Sequence, residues 1–282
     1  MHRSLQRSFP LFVLPTLLAF LIAFLVPFLM GTYLSFTDFA TVTDHEFVGF
    51  ENYVRAFTAD RNFLNALWFT VAFTVVSVIS VNVFAFLLAL ALSGRVRGTH
   101  TFRTVFFLPN LIGGIVLGYI WNLLINGILG FFGVDITYAA SYGFWGLVAL
   151  TNWQMIGYMM VIYVAGLQSI PPSLLEAAAI DGASKWRTLR HVTLPMVMPS
   201  ITICTFLTLT NSFKLFDQNL ALTAGAPGRE TSMLALDIYD TFYGRNLSWQ
   251  GVGQAKAVVF FLIVAGFALV QLRLTKRREV EA

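Results

Sequence analysis

Two groups of polar residues interrupt an otherwise apolar chain. The first is Glu176-Ala177-Ala178-Ala179-Ile180-Asp181-Gly182, followed nine residues later by Val192-Thr193-Leu194-Pro195. Its chemistry is recognition rather than catalysis. Small alanines permit close packing, Gly182 permits a sharp bend, and charges flank the apolar residues. The second group is dispersed: Asn122, Asn152, Gln154 and Asn211 lie inside apolar stretches. Amides are costly in hydrocarbon, so they face other helices or a cavity. With Trp121, Trp153 and Tyr158 they join hydrogen-bonding amides to flat aromatic faces, chemistry suited to a sugar. The plainer reading of each is interhelical glue or an interfacial aromatic. Lys214 and Asp217, one turn apart, are expected to form an ion pair, with a gate element as the alternative.

Other chemistries find no residues. No Gly-x-x-x-x-Gly-Lys-Ser/Thr is present to cradle ATP phosphates, and neither His-Glu-x-x-His nor Gly-x-Ser-x-Gly occurs. His2, His45, His100 and His191 are scattered through flanks and loops. The single cysteine, Cys204, excludes an intrachain disulfide and a cysteine zinc site, and reads as a packing residue.

The elements that must carry these groups are membrane helices. Of 282 residues, 57% are hydrophobic and 11% are charged, and the mean hydropathy is +0.74. Soluble domains carry roughly a quarter charged residues, so lipid is the solvent. Crossing the hydrocarbon takes about 20 mainly apolar residues in a helix. Six stretches qualify, near 11–34, 66–92, 104–126, 145–168, 196–216 and 256–273. The first lacks a small-residue cleavage site and reads as a retained span, with Pro15 and Pro27 available to bend it. The last reads as the shortest, its end residues Lys256 and Arg273 snorkelling to the headgroups.

Basic residues set the orientation. With both termini inside, the inner face collects Arg3, Arg7, Arg95, Arg97, Arg103, Lys185, Arg187, Arg190, Arg273, Lys276, Arg277 and Arg278. The outer segments hold fewer: Arg55, Arg61, Arg229, Arg245 and Lys256. Both termini are therefore cytoplasmic by the positive-inside rule. The formal charge of +4 orients the chain and is no nucleic-acid footprint. A secondary transporter would place ionisable groups at span centres, and these spans are almost free of them.

Inner loops fall near 93–103 and 169–195, and outer loops near 35–65, 127–144 and 217–255. In the longer inner loop Pro171-Pro172 ends the fourth span. Ser173 to Glu176 has the form of a capping box, with Ser173 as N-cap. Gly182 closes the short helix, and a second run from about Ser184 to His191 leads to Pro195. The face of Leu174, Leu175 and the alanines is either a docking surface or one side of an amphipathic connector on the membrane. Gly114 and Gly118 have helix-packing spacing.

Glu176-Ala177-Ala178, Gly182 and Leu194-Pro195 together resemble the EAA loop of bacterial binding-protein-dependent ABC importer permeases, with Val192 where that family often has Ile. The run from Ala165 to Pro171 and on through Asp181 to Ser184 looks like the carbohydrate branch, the maltose and glycerol-phosphate type permeases. Phe102 to Pro109, Ile120-Trp121-Asn122 and Leu222 to Pro227, with Thr231 and Tyr239, match further, so the resemblance covers about residues 47–260. Gly225-Ala226-Pro227 departs from the common Gly-Gly-Pro, and no outer loop is long enough for the large insertion of one maltose-type subunit.

The resemblance implies an all-α membrane protein of six transmembrane helices with the type I ABC importer permease fold, one permease domain over 1–282. It makes 169–195 the coupling loop, with Glu176, Ala177, Ala178, Asp181 and Gly182 in a cleft of a cytoplasmic ATPase. The implied partners are two ATPase subunits, a second and related permease subunit, an extracytoplasmic solute-binding protein, a sugar and membrane lipid. ATP-Mg would sit on the ATPase, and no cofactor on this chain. The implied place is the bacterial inner membrane. A permease of the same group for amino acids, phosphate or metal is the alternative.

Overall fold

The computed structural model describes residues 13–41, 43–94 and 98–276. His2, Arg3, Arg7, Arg95, Arg97, Arg277 and Arg278 lie outside the described residues. The membrane-length helices are α1 (Val13–Leu34), α3 (Arg61–Ser93), α5 (Gly114–Leu129), α6 (Ala140–Gln168) and α12 (Gln250–Lys276). A bent pair, α8 (Lys185–Met196) and α9 (Met198–Phe213), makes a sixth crossing. Between them lie strands β1 (Thr37–Thr41) and β2 (Asp44–Phe47), and shorter helices α2 (Glu51–Thr58), α4 (Thr99–Phe107), α7 (Pro172–Ile180), α10 (Asp217–Leu222) and α11 (Leu234–Tyr243).

Six crossings agree with the apolar pattern, but their bounds differ for physical reasons. The apolar run 104–126 is not one helix. Pro109 removes a donor, the chain tightens to a 3-10 turn at Leu108–Leu111, and α5 restarts after Gly113. The last crossing is not the shortest: with its leading turn it spans Leu247–Thr275, 29 residues. Lys256 does not snorkel. It is fully buried, its ammonium 2.7 Å from Asp60 and 2.8 Å from the Thr241 hydroxyl. α1 continues past both prolines, and its π turn at Leu21–Leu25 sits just before Pro27, where a donor is missing.

The described chain packs as two compact units. One holds the residues up to Arg61 together with Ile238–Phe261. Its strands pair antiparallel, Thr37 opposite Phe47. Buried Asn52 on α2 donates to the carbonyls of Ser35 and Thr37 at 3.1 and 2.8 Å, tying α2 to the hairpin. Arg245 bridges this unit's surface, bonded to Asp60 at 2.7 Å and lying 4.2 Å from the Trp249 ring centre.

The other unit holds Asn62–Asp237 and the chain from Leu262. Alanines on α3 (Ala85, Ala89) admit Met155, Met159 and Tyr163 of α6 and Cys204 of α9 into one cluster. Cys204 is fully buried there, as its packing role requires. Within the same layer the Tyr163 hydroxyl donates to Asn82 at 2.7 Å, and Asn82 donates to Thr208 at 3.4 Å, linking three crossings. Gly157 lets α6 press on the backbone of Phe106; an added Cβ would collide with that carbonyl. Gly114 and Gly118 also mark a close approach, but to short α10: a Cβ on Gly118 would lie 2.7 Å from the Ala221 Cβ.

Candidate functional site

The 169–195 connection folds as two helical arms around a glycine. α7 starts at Pro172, with Pro171 in extended conformation at the N-cap and no side-chain cap. The expected capping box is therefore absent. Pro172 is pre-organised for the first helical position, so the helix begins two residues too early for Ser173 to be its N-cap. Glu176 is left exposed in mid-helix, free of any capping duty. Ala177 is exposed and Ala178 half-buried beside it. Asp181 is the C-cap, and Gly182 takes φ +69°. The amides of Gly182 and Ala183 bond the carbonyls of Ala179 and Ala178 at 3.1 and 2.9 Å, the Schellman closure. Ser184 caps α8 by accepting from the Arg187 amide at 3.3 Å. A π turn at Leu189–Thr193 follows, and at Val197 the chain bends 69° into α9. Thus the five residues singled out on this loop lie on the second half of α7 and the turn that closes it.

The dispersed amides divide into two sets. Asn122 donates to the Leu222 carbonyl at 2.7 Å and accepts from Asn126 at 3.1 Å, tying α5 to the end of α10. Asn152 donates to the Ser80 hydroxyl at 2.9 Å and ties α6 to α3. Trp153 is half-exposed, with its ring centre 6.0 Å from that of Trp121. Tyr158 packs edge-on against Phe107. None of these four lines the cavity that holds the other two.

Gln154 of α6 and Asn211 of α9 meet in a cavity of about 200 Å³. Asn110, Lys214 and Gln218 complete its polar wall, with Met155 and Leu215. Gln218 donates to the Gln154 carbonyl oxygen at 2.9 Å, and Gln154 donates to the Ile112 carbonyl at 3.5 Å. Four carboxamides and one ammonium face the space, and among the described residues no carboxylate lines it. Lys214 and Asp217 form no ion pair among the described residues. α9 ends at Phe213 and α10 begins at Asp217, so the two do not share a helix face. Asn110 and Gln218 escaped the sequence reading: Asn110 sits at a break hidden inside the apolar run 104–126, and Gln218 lies at the start of short α10 beyond the fifth run. Pro109 was the one available signal.

Gln218 is held in place from behind. Fully buried Asn219 donates to the Thr231 carbonyl at 2.8 Å and the Thr223 hydroxyl at 3.0 Å, and accepts from the Met233 amide at 2.9 Å. Thr231 closes the turn by donating to the carbonyl of Ala226 at 2.7 Å. Gly225 carries φ +83°, whereas Ala226 is outside the left-handed region, so alanine fits where the family commonly has glycine.

With this architecture in view, comparison with known proteins places the chain. The profile of the family described as binding-protein-dependent transport system inner membrane component matches residues 99–280. The chain belongs to that family, and so to the multi-pass proteins of the inner membrane. It is 45% identical over 280 residues to the probable starch degradation products transport system permease protein AmyD of Thermoanaerobacterium thermosulfurigenes, covering 96% of this chain and 94% of that one. It is 31% identical over 260 residues to the multiple sugar-binding transport system permease protein MsmF of Streptococcus mutans, covering 89% of each. Among solved structures, it resembles a chain of the bacterial alginate ABC transporter in complex with an alginate pentasaccharide-bound periplasmic protein. The TM-score is 0.80 at 20% identity, over 98% of this chain and 97% of that one. That likeness defines the fold, the type I importer permease.

Proposed function

We propose that this chain is the membrane-spanning permease subunit of a sugar importer of the ATP-binding-cassette class. It passes a sugar or sugar oligomer, delivered by a soluble binding protein, across the inner membrane by alternating access. The carboxamide cavity of Asn110, Gln154, Asn211 and Gln218 carries the reading. A sugar hydroxyl both donates and accepts, and so does a carboxamide, and four carboxamides outnumber the single ammonium, Lys214, in the wall. Relatives named for starch degradation products and multiple sugars support the same solute class.

The drive comes from outside the chain. Two cytoplasmic ATPase subunits hold ATP and Mg²⁺, and α7 enters a cleft of one of them. Glu176 presents an acceptor there, Ala177 and Ala178 allow close packing, and the Asp181–Gly182 turn fixes the angle to α8. A related second permease completes the pathway. Both termini lie on the cytoplasmic side, as the Lys and Arg distribution supports.

The test is uptake of starch-derived oligosaccharides by vesicles holding the complete importer with its binding protein. Glu176→Gln should abolish uptake and binding-protein-stimulated ATP hydrolysis, with insertion and thermal stability unchanged. Full uptake in that variant, or wild-type uptake indifferent to ATP depletion, would refute the proposal.

A further inference from the structure

Two apolar clusters follow one another along α3 and α6, and a polar layer separates them. Phe73 and Leu147 belong to one cluster, Val81 and Met155 to the other. Ser77 lies one helical turn from both Phe73 and Val81, and Thr151 one turn from both Leu147 and Met155. The register that joins the clusters therefore sets Ser77 level with Thr151. α9 runs the opposite way along α3: Val197 and Cys204 share the cluster of Ala89 and Val81, whereas Leu209 and Phe213 adjoin Val71 and Val75. Asn82 donates to Thr208 of α9 at 3.4 Å, so Ser212, one turn further on, reaches the level of Val78. Thr74 shares the Ser77 face of α3 and borders a space of about 170 Å³ beside Val78, Leu209 and Phe213, so the helices are not close-packed at this depth.

Thr74, Ser77, Thr151 and Ser212 are buried, the last three of them fully. None of the four hydroxyls has a hydrogen-bond partner among the described residues. A helical Ser or Thr can bond the carbonyl one turn back, as Thr202, Thr208 and Thr210 of α9 do at 3.1, 2.8 and 2.9 Å. The four hydroxyls of the layer make no such bond. The carbonyl oxygen of Asn152, next to Thr151, is unpartnered as well, although its amide donates to Ser80. Buried polar atoms are nearly always paired, and a whole layer of exceptions at one depth calls for a common partner.

That partner must donate and accept, fit between helices, and be neutral. From Asn62 to Ser93, Ala140 to Gln168 and Met198 to Phe213 there is no Asp, Glu, Lys, Arg or His to balance an ion. Water meets these terms, since a buried molecule typically makes about three hydrogen bonds to otherwise unpaired groups. We infer that ordered water occupies this layer, bonding Ser77 and Thr151 and reaching Thr74 and Ser212, so that α3, α6 and α9 are joined through solvent. None of the four residues lines the carboxamide cavity, and the site does not depend on which solute is carried.

Thermal unfolding of the complete importer tests it. Thr74→Val and Thr151→Val replace a hydroxyl by a methyl group of similar shape and similar helix propensity. Where the hydroxyl holds water, its loss strands the water's other partners, and each variant should unfold a few degrees below the wild type. The double variant should fall short of the summed shifts, because both residues bond the same solvent. Electron cryo-microscopy at a resolution that shows ordered water should place density within hydrogen-bond reach of Ser77 and Thr151 in the wild type, and lose it in Thr151→Val. A hydroxyl bonded to nothing, or to its own helix, gives valine variants that unfold at or above the wild-type temperature. That result, fully additive shifts, or a layer without solvent density would each overturn the assignment.

Discussion

Lys256 and Asp60 stand 196 positions apart in sequence, yet their charged atoms lie 2.7 Å apart with both side chains buried. The same carboxylate oxygen accepts from Arg245 at 2.7 Å. One anion therefore serves two cations, and its removal is the more damaging change. Asp60→Leu should cost about 3–5 kcal/mol, the typical penalty for taking one partner from a buried pair. Lys256→Met should cost less, because Asp60 keeps Arg245. Thermal unfolding of the purified variants gives the order, and the reverse order would contradict this reading of the cluster.

Gly157 faces the carbonyl of Phe106 so closely that even one methyl group has no room. Gly157→Ala should destabilise by about 1–3 kcal/mol through overpacking. Gly127, with open space around its Cβ position, is the control; its alanine variant should unfold at or slightly above the wild-type temperature, since alanine is the better helix former.

At Gly182 the backbone is left-handed at φ +69° and open space surrounds it. A side chain there is opposed by conformation alone. Gly182→Ala should loosen the α7–α8 turn by about 1–2 kcal/mol, and Gly182→Asn by less. Hydrogen exchange at the Gly182 and Ala183 amides reports the change; equal protection in all three proteins would rule it out.

Asn122 and Asn211 look alike in sequence but occupy different surroundings. Asn122→Leu strands the Leu222 carbonyl and should lower stability by roughly 1–3 kcal/mol. Asn211→Leu leaves an exposed cavity wall without its amide and should raise the KM for sugar about tenfold with little effect on unfolding, the loss of one hydrogen bond to substrate. Unfolding and uptake measured on both variants separate the two roles, and the pattern reversed would remove Asn211 from the pathway.

Hydropathy made the crossings legible because lipid imposes one demand on every residue of a span. It could not find the break inside 104–126, since residues on both sides of Pro109 are equally apolar. Lys256 read as a boundary because its partner is remote in sequence and no local pattern announces it. Ser173 and Glu176 satisfied a capping template, but Pro172 set the helix start. The loop residues Glu176 to Gly182 lie together because their geometry is local. Of the cavity lining, Gln154 and Asn211 stand out in the sequence as amides among apolar neighbours, whereas Asn110, Lys214 and Gln218 converge only once two chain breaks, at Leu108–Gly113 and at Lys214–Phe216, are folded.

The bend at Val197 has a mechanical consequence. Its two arms meet at 69°, and the vertex residue is fully buried in the cluster that includes Met159, Tyr163 and Cys204. A thrust along α8 cannot pass straight down the axis of α9, because the joint is pivoted rather than collinear. It would emerge as a sideways swing, largest by lever geometry at the far tip of α9, where Asn211 and Lys214 stand. On the proposed coupling role, this bend would be a bell crank, turning a push on the loop into a change in the width of a chamber at the opposite end of the crossing.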